Sequence, residues 1–206
     1  MLKLQAKLVI LILLFATSYS AFSRDVTVTP FYGYQFGGQA NSHGGEFKIK
    51  DSENFGLTVD LPHSPGKTIQ LLYIYQNTAL QHTDRQTYTT EQLFGLDVQY
   101  FHVGGTSAIS KGDASAFVSG SIGATYFEPK KSNVSSETLF SVSLGMGVVK
   151  KIRQNIALRL QSRLLIPMQH VGGSLFCASG GCSFGVNGGT SILQGDVTAG
   201  ISVDFN

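Results

Sequence analysis

From Val26 to Phe205 the chain alternates apolar and polar residues with a period of two, the pattern of β-strands with one apolar face. Eight segments carry this pattern, separated by stretches rich in turn and loop residues. The segments are residues 26–36, 55–61, 69–75, 94–100, 116–126, 140–148, 156–166 and 197–205. The sequence therefore predicts an all-β chain of eight strands.

The two faces of these segments differ in a way that indicates which one meets water. The apolar face has no charged residue, whereas the opposing face has Gly, Ser, Thr, Gln, Asp and Arg but neither Lys nor Glu. A soluble barrel or sandwich would expose many Lys and Glu residues on its polar face. Small residues with a few charges suit a crowded interior, with the apolar face turned to lipid. This predicts an eight-stranded antiparallel up-and-down transmembrane β-barrel.

The connections between the segments support the same architecture. Closing an even number of strands leaves no unpaired edge in hydrocarbon. Connections after odd segments are long, most of the others are short, and residues 102–114 are the one stretched exception. This alternation is typical of long extracellular loops and short periplasmic turns. The predicted long loops are residues 37–54, 76–92, 127–138 and 167–195.

The N-terminal segment predicts export. Two lysines precede a run of apolar residues, 8–16, which is followed by small residues. This is the pattern of a secretory signal peptide, because a membrane-spanning helix needs about 20 residues. We expect residues 1–23 to be cleaved during Sec-type export, leaving residues 24–206 as a single barrel domain.

Composition sharpens this interpretation. The formal net charge is +2, from 15 basic and 13 acidic residues. Two of the lysines lie in the predicted signal peptide, so the mature chain is balanced, and a nucleic-acid partner is not expected. The chain has 24 glycines among its 206 residues, a larger share than the usual value of about 7%. Many of them fall on the predicted inner face, where a narrow barrel has room only for small side chains.

The polar face provides a candidate lumenal network. One interpretation is a path for ions or protons, and the other is an ion-pair network that keeps interior charges satisfied. Eight strands leave little lumen, which favours the network. The candidate residues are Asp60, Gln70, Asp97, Gln99, Arg159, Gln161, Arg163 and Asp204.

Aromatic residues flank the predicted strands on the lipid-facing rows. Their positions predict girdles at the membrane interfaces, with carbohydrate stacking as the alternative. They are Tyr32, Tyr34, Phe36, Tyr73, Tyr75, Tyr100, Tyr126 and Phe205.

The two cysteines, Cys177 and Cys182, are separated by four residues. In an oxidising compartment this spacing predicts a disulfide that closes a small loop. A zinc site is the alternative, but it would need a second pair of ligands nearby. We therefore predict no metal site and no cofactor.

Catalysis has little support in the sequence. The histidines are scattered, and their close pairings with a nucleophile or acid are Ser42 with His43, His63 with Ser64, and His82 with Asp84, all in predicted connections. We expect no catalytic residues, with a lipid-modifying hydrolase as the alternative.

Two stretches carry a resemblance to a known family. Residues 145–160 contain a Gly-rich strand, a polar turn and an Asn-x-Ala-Leu-Arg start, similar to the penultimate hairpin of the small outer-membrane barrels of the outer-membrane protein A and opacity-protein type. In the last strand, Gly200, Val203 and Phe205 resemble the C-terminal signal read by the barrel-assembly machinery, although Asn206 follows the aromatic residue.

The resemblance implies a protein of the bacterial outer membrane. Its expected partners are outer-membrane lipids and lipopolysaccharide, the barrel-assembly machinery, and a host or surface ligand. The expected role is structural or in surface contact through the extracellular loops, especially residues 169–193. Alternatives are a narrow channel or path for small hydrophobic molecules, a lipid-modifying enzyme, and a soluble exported binding barrel of the lipocalin kind.

Overall fold

The computed structural model describes most of the chain from Val26 onward. The described residues are 26–42, 45–84, 89–110, 112–131, 134–168, 175–178, 181–184 and 193–205. The predicted signal peptide, residues 1–23, lies outside them. Within the described ranges, no helix is long and apolar enough to cross a membrane.

The described residues form strands that follow the predicted segments and extend most of them. The strands are β1 Val26–Phe36, β2 Gln39–Ser42, β3 Gly45–Ile49, β4 Ser52–Ser64, β5 Lys67–Asp84, β6 Thr90–Ala108, β7 Ala114–Pro129, β8 Glu137–Arg153, β9 Ile156–Met168, β10 Leu175–Ala178, β11 Gly181–Phe184 and β12 Gln194–Phe205.

Eight of these strands form a closed antiparallel barrel. Around the wall the order is β1, β4, β5, β6, β7, β8, β9 and β12, so neighbours in the wall are consecutive along the chain apart from short additional strands. The barrel closes because β12 pairs with β1. The predicted eight-stranded up-and-down architecture is confirmed.

The seam between the first and last wall strands is tied from inside the barrel. Thr27 Oγ1 donates a hydrogen bond to Asp204 Oδ1 at 2.5 Å. One layer further in, the hydroxyls of Thr29 and Ser202 are 2.8 Å apart. Both contacts connect the two ends of the described chain, so they exist only when the barrel is closed.

The direction of the side chains matches a transmembrane barrel. The outward rows are apolar and exposed, as at Leu144 (56%), Ile201 (54%) and Val197 (54%). The inward rows include polar and charged side chains that are almost completely buried, such as Arg163 and Asp196. This is the inverse of a soluble barrel.

Strand β6 departs from the predicted facing. Leu96, Val98 and Tyr100, which the alternation assigns to the lipid, point inward and are 0–5% exposed. Asp97 and Gln99, which the alternation assigns to the lumen, are on the outer face. The predicted facing of this strand is therefore wrong by one residue.

The reason for this departure is the pairing of β6 with β5. Ile74 and Leu72 point inward from β5, and they lie opposite Tyr100 and His102 in register. Directly paired residues share a face of the sheet. The β5 register therefore places an apolar row of β6 inside the barrel, in a cluster with Val98.

Three predicted connections also prove to be largely strand. In residues 76–92, β5 continues to Asp84 and β6 begins at Thr90. Residues 37–54 contain β2 and β3, which pair with each other, and β3 also pairs with the end of β5. The stretched connection 102–114 is short, because β6 continues to Ala108. These changes lengthen hairpins and leave the number of wall strands at eight.

Candidate functional site

Two arginines on the inner face of β9 organise the lumen. Arg159 and Arg163 are four residues apart, which separates them by about 13 Å along the strand. Each pairs with an aspartate and lies over a phenylalanine ring. We call the surroundings of Arg159 and Asp60 the lower layer, and those of Arg163 and Asp196 the upper layer.

The lower layer lies nearer the end of the barrel with the short turns. Arg159 Nη1 donates to Asp60 Oδ2 at 2.7 Å. β9 and β4 are not neighbours in the wall, so this ion pair crosses the lumen. The guanidinium carbon of Arg159 is 4.4 Å from the centre of the Phe117 ring, which adds a cation–π contact.

Amide and hydroxyl groups complete the lower layer. Gln70 Nε2 donates to Asp60 Oδ1 at 2.7 Å. Gln161 accepts from Arg159 Nε at 3.2 Å and donates to Ser119 Oγ at 3.0 Å. The carboxylate and the guanidinium therefore each have a second polar partner, as burial of a charge requires.

The upper layer is drier. Arg163 Nε lies 3.1 Å from both carboxylate oxygens of Asp196, and its Nη2 also reaches Thr198 Oγ1 at 3.2 Å. The side chains of the ion pair are 1% and 0% exposed. The guanidinium carbon is 4.5 Å from the centre of the Phe31 ring.

A chain of amides links the upper layer to the long-loop end. Asn54 Nδ2 donates to Asp196 Oδ2 at 3.3 Å and to Gln35 Oε1 at 3.0 Å. Gln35 Nε2 donates to Gln194 Oε1 at 2.8 Å, across the β1–β12 seam. The Tyr100 hydroxyl also donates to Gln194, so the network joins opposite walls of the barrel.

A third polar group surrounds His102 on the wall formed by β6, β7 and β8. Its Nδ1 is 3.0 Å from Ser121 Oγ, and its Nε2 is 2.7 Å from Ser141 Oγ. Ser121 in turn lies 2.6 Å from Ser143 Oγ. His102 is 4% exposed, so both ring nitrogens are engaged inside the barrel.

Together these groups leave little open space in the middle of the lumen. A cavity of about 10 Å³ is lined by Thr58, Arg159, Gln161 and Thr198, enough for a single water molecule. A wider recess of about 230 Å³ lies at the short-turn end and reaches Arg159 and Asp60 at its inner limit. The described side chains therefore form a plug with a shallow vestibule.

The lumenal candidates from the sequence divide into two groups. Asp204 lies inside, at the short-turn mouth beside Thr27. The five candidates that lie in the two layers are Asp60, Gln70, Arg159, Gln161 and Arg163. The lumenal prediction is wrong for Asp97 and Gln99, because β6 places their side chains on the outside of the barrel. There Asp97 Oδ1 accepts from Asn77 Nδ2 at 2.7 Å and pairs with Lys130 Nζ at 3.0 Å. The hydrogen bond that Lys130 donates to Asp97 raises the pKa of Lys130.

Several members of the network were missed by the sequence analysis. Asn54, Gln194 and Asp196 lie just beyond the predicted segments, where the period of two continues for one to three further positions. Gln35 lies on the polar face of the predicted segment 26–36, but it is not among the lumenal candidates. Extending the alternation to the strand ends would have found these residues.

Most of the predicted girdle lies on the outside of the wall. Tyr32, Tyr34 and Phe36 are 44–55% exposed, and the rings of Tyr34 and Phe36 are in edge contact at 5.4 Å. Tyr100 is the exception: the β6 register buries it in the lumen, so its assignment to the girdle is wrong.

Other predicted features have a position but no demonstrated role. Cys177 lies opposite Cys182 in the β10–β11 hairpin, and the disulfide stays a prediction. Val203 and Phe205 lie in the outward row of β12, while Gly200 faces inward against Phe31. Among the described residues, no cluster of three or more His, Cys, Asp or Glu side chains could hold a metal ion.

The comparisons with known proteins agree on the fold. No protein-family model and no curated protein matches the chain. Neisserial surface protein A (NspA) has a similar solved structure, with a TM-score of 0.58 and 11% identity over 88% of this chain and 97% of that one. The N-terminal β-barrel domain of Pseudomonas aeruginosa OprF gives 0.51 and 9%, with the same coverages. The chain therefore has the fold of the small eight-stranded outer-membrane β-barrels, as the resemblance predicts.

Proposed function

We propose that this protein is an integral barrel of the bacterial outer membrane, exported by a Sec-type signal, which provides a rigid contact surface for a host or surface ligand. The lumen serves as a structural plug. The feature that carries the proposal is the wall extension, a sheet formed by β2, β3 and the adjoining ends of β5 and β6 at the long-loop end.

The extension is longer than a membrane requires. β5 and β6 have 18 and 19 residues, whereas a tilted strand crosses in about 9–11. The backbone hydrogen bonding to β5 continues through the bend between β3 and β4, where Lys50 N donates to Ala79 O at 2.9 Å. Ile49 is 2% exposed, which anchors β3 on the wall. An ordered sheet beyond the membrane suits recognition, because little ordering entropy is lost on binding.

The interior supports a role without conduction. Two charge layers and the His102 group fill the middle of the barrel, where the cavity measures about 10 Å³. An ion would have to break the Arg159–Asp60 pair, which crosses the lumen, to pass. We therefore place the function outside the lumen.

The same proposal assigns no catalysis. His102 is enclosed with both ring nitrogens bound to serine hydroxyls, and its burial keeps it from any lipid substrate. His43 and His170 lie outside the described residues. Acyl release from lipopolysaccharide by the purified protein would contradict this part of the proposal.

The test shortens the extension without touching the barrel. Leu80 and Phe94 are paired across the β5–β6 hairpin, so residues 81–93 can be replaced by an Asn-Gly turn. We expect cells that display this variant to lose adherence to an epithelial monolayer, while heat-dependent gel mobility stays that of a folded barrel. The control shortens the turn 109–113 at the opposite end and leaves adherence intact.

Planar-bilayer recordings provide the second arm of this test. We expect no unitary conductance steps from the wild-type protein. Regular steps, together with unchanged adherence of the shortened variant, would replace the contact role with that of a channel.

A further inference from the structure

The vestibule at the short-turn end of the barrel takes no part in the proposed contact role. It has a volume of about 230 Å³ and ends at the Arg159–Asp60 pair. This is below the range of about 300–1,000 Å³ that is usual for drug-sized ligands, so its occupant is no larger than an amino acid or a dipeptide. Because the middle of the lumen is filled, such a molecule can bind in the vestibule but cannot pass through the barrel.

Two charged side chains of opposite sign line the vestibule near its mouth. Asp204 points inward, where Thr27 donates to one of its carboxylate oxygens. Lys151 is paired with Ala157 on β9, which is paired in turn with the inward-facing Ser202 on β12. Paired residues share a face of the sheet, so Lys151 is also on the inner face. Both side chains belong to the lining of the vestibule.

No other side chain neutralises these two charges within the described residues. Neither Asp204 nor Lys151 forms an ion pair there, with each other or with a third group. β9 lies between their strands, and two strand spacings amount to about 10 Å. The charges of the lower and upper layers, by contrast, are paired. The mouth of the vestibule therefore presents a separate positive and negative charge on its inner face.

The other charged groups described at this end lie on exposed turns and strand ends. The backbone carbonyl of Asp113 accepts from Lys151 N at 3.0 Å, but no ion pair joins the two side chains. These exposed groups thus leave both vestibule charges uncompensated. They are Lys67, Asp113, Lys150 and Arg153.

We propose that the vestibule binds a small zwitterion, an α-amino acid or a dipeptide with free termini. Asp204 accepts hydrogen bonds from its ammonium group, and Lys151 donates to its carboxylate. A molecule with both charges neutralises both side chains at once, whereas a simple anion or cation leaves one of them uncompensated. The hydroxyl of Ser115 lies in the lining as a further hydrogen-bonding group, and Val149 provides apolar contact for the ligand side chain.

This site is separate from the wall extension. The extension is at the long-loop end, and the filled middle of the lumen lies between the two. In the orientation of the proposed function the vestibule opens to the periplasm, so its occupant is a periplasmic amino acid or short peptide. Binding in detergent does not depend on that orientation or on adherence, so the two proposals can fail separately.

The experiment titrates the full mature chain, folded in detergent micelles, with three forms of one dipeptide. Alanyl-alanine has both charges, its N-acetyl derivative lacks the positive charge, and its C-terminal amide lacks the negative charge. Binding is followed by the backbone amide signal of Gly66, which lines the vestibule, with Gly195 at the opposite end as the reference. Heat-dependent gel mobility checks that each variant is folded.

Two variants remove the charges of the vestibule one at a time. Asp204→Asn keeps an acceptor for Thr27, and Lys151→Gln keeps a polar side chain at the mouth. Lys150→Gln is the matched control, because Lys150 is paired with the outward-facing Leu158. It makes the same change of charge on the neighbouring residue, but outside the vestibule.

We expect the wild type and Lys150→Gln to bind alanyl-alanine at least about tenfold more tightly than either derivative. In Asp204→Asn the preference over the N-acetyl derivative should disappear, and in Lys151→Gln the preference over the amide should disappear. A loss of stability alone would not produce this crossed pattern. Equal affinity of the wild type for the three probes, no shift of the Gly66 signal, or unchanged preferences in both variants would overturn the proposal.

Discussion

The two arginine–aspartate pairs of the lumen have the same chemistry but different surroundings. The Arg163–Asp196 pair joins neighbouring strands and is 1% and 0% exposed. The Arg159–Asp60 pair spans the lumen between strands that are not neighbours, and it is 8% and 6% exposed beside the vestibule. The upper pair thus depends entirely on its protein partners, whereas water can reach the lower pair from the vestibule.

Burial, more than the ion pair itself, therefore decides what each charge contributes to stability. A buried charge that loses its partner retains its full desolvation cost. A charge near a water-filled recess can be hydrated instead. The free energy of unfolding in lipid vesicles, measured by urea titration, compares the two layers.

The largest effect is expected for Arg163→Ala. It leaves the Asp196 carboxylate buried without its counter-charge, and we expect a loss of about 3–5 kcal/mol. The double variant Arg163→Met with Asp196→Asn should recover much of this loss, because it removes both charges. A double variant as unstable as Arg163→Ala would show that shape, and not charge, dominates this layer.

A smaller loss is expected for Arg159→Ala, about 1.5–3 kcal/mol, the scale of hydrogen bonds to charged groups. Water from the vestibule can then hydrate Asp60, and Gln70 still donates to it. The same titration checks the value. Losses of equal size for Arg159→Ala and Arg163→Ala would contradict the difference in burial between the two layers.

The glycines beside the lower layer provide a test of packing alone. A Cβ on Gly147 would lie 2.4 Å from Leu160 O and 2.6 Å from Phe117 Cζ, the ring that Arg159 covers. We expect Gly147→Ala to cost about 1–3 kcal/mol through overpacking. Gly120→Ala is the control, since its nearest contact would be Leu144 Cδ2 at 3.8 Å, and its stability should be unchanged or slightly higher.

The smallest effects are expected when the aromatic ring under each arginine is removed. Phe31→Leu and Phe117→Leu both keep an apolar side chain and lose the cation–π contact. We expect losses of about 0.5–2 kcal/mol, with Phe31→Leu at the upper end because Arg163 is better desolvated. The opposite order in the urea midpoints would contradict the assignment of the drier environment to the upper layer.

The alternation of polarity predicts the barrel and the facing of seven wall strands, because lipid and lumen impose opposite polarity on alternate residues. The same alternation gives the wrong facing for β6. Leu96, Val98 and Tyr100 belong to an apolar part of the interior, so they have the same sequence pattern as a lipid-facing row. The signal that could have corrected it is further along the strand, where Phe101 and Val103 continue the outward face.

The partners inside the lumen were less predictable than the faces. The alternation predicts that Arg159 and Asp60 both point inward. Their contact depends on how far the strands are staggered around the barrel, and the alternation does not predict that stagger. The same holds for Asn54, which reaches Asp196 on a strand two places away in the wall. Pairings of this kind require the closed structure.

The tied seam between β1 and β12 has a consequence for how the protein folds. Its hydrogen bonds join residues 159 to 177 positions apart, among the longest loops that this chain can close. Until β12 pairs with β1 and β9, Asp196 and Arg163 cannot form their ion pair. The β1 and β9 edges of the sheet are then unpaired in hydrocarbon. We therefore expect insertion and closure to be a single cooperative event that requires β12, with no stable half-barrel along the way.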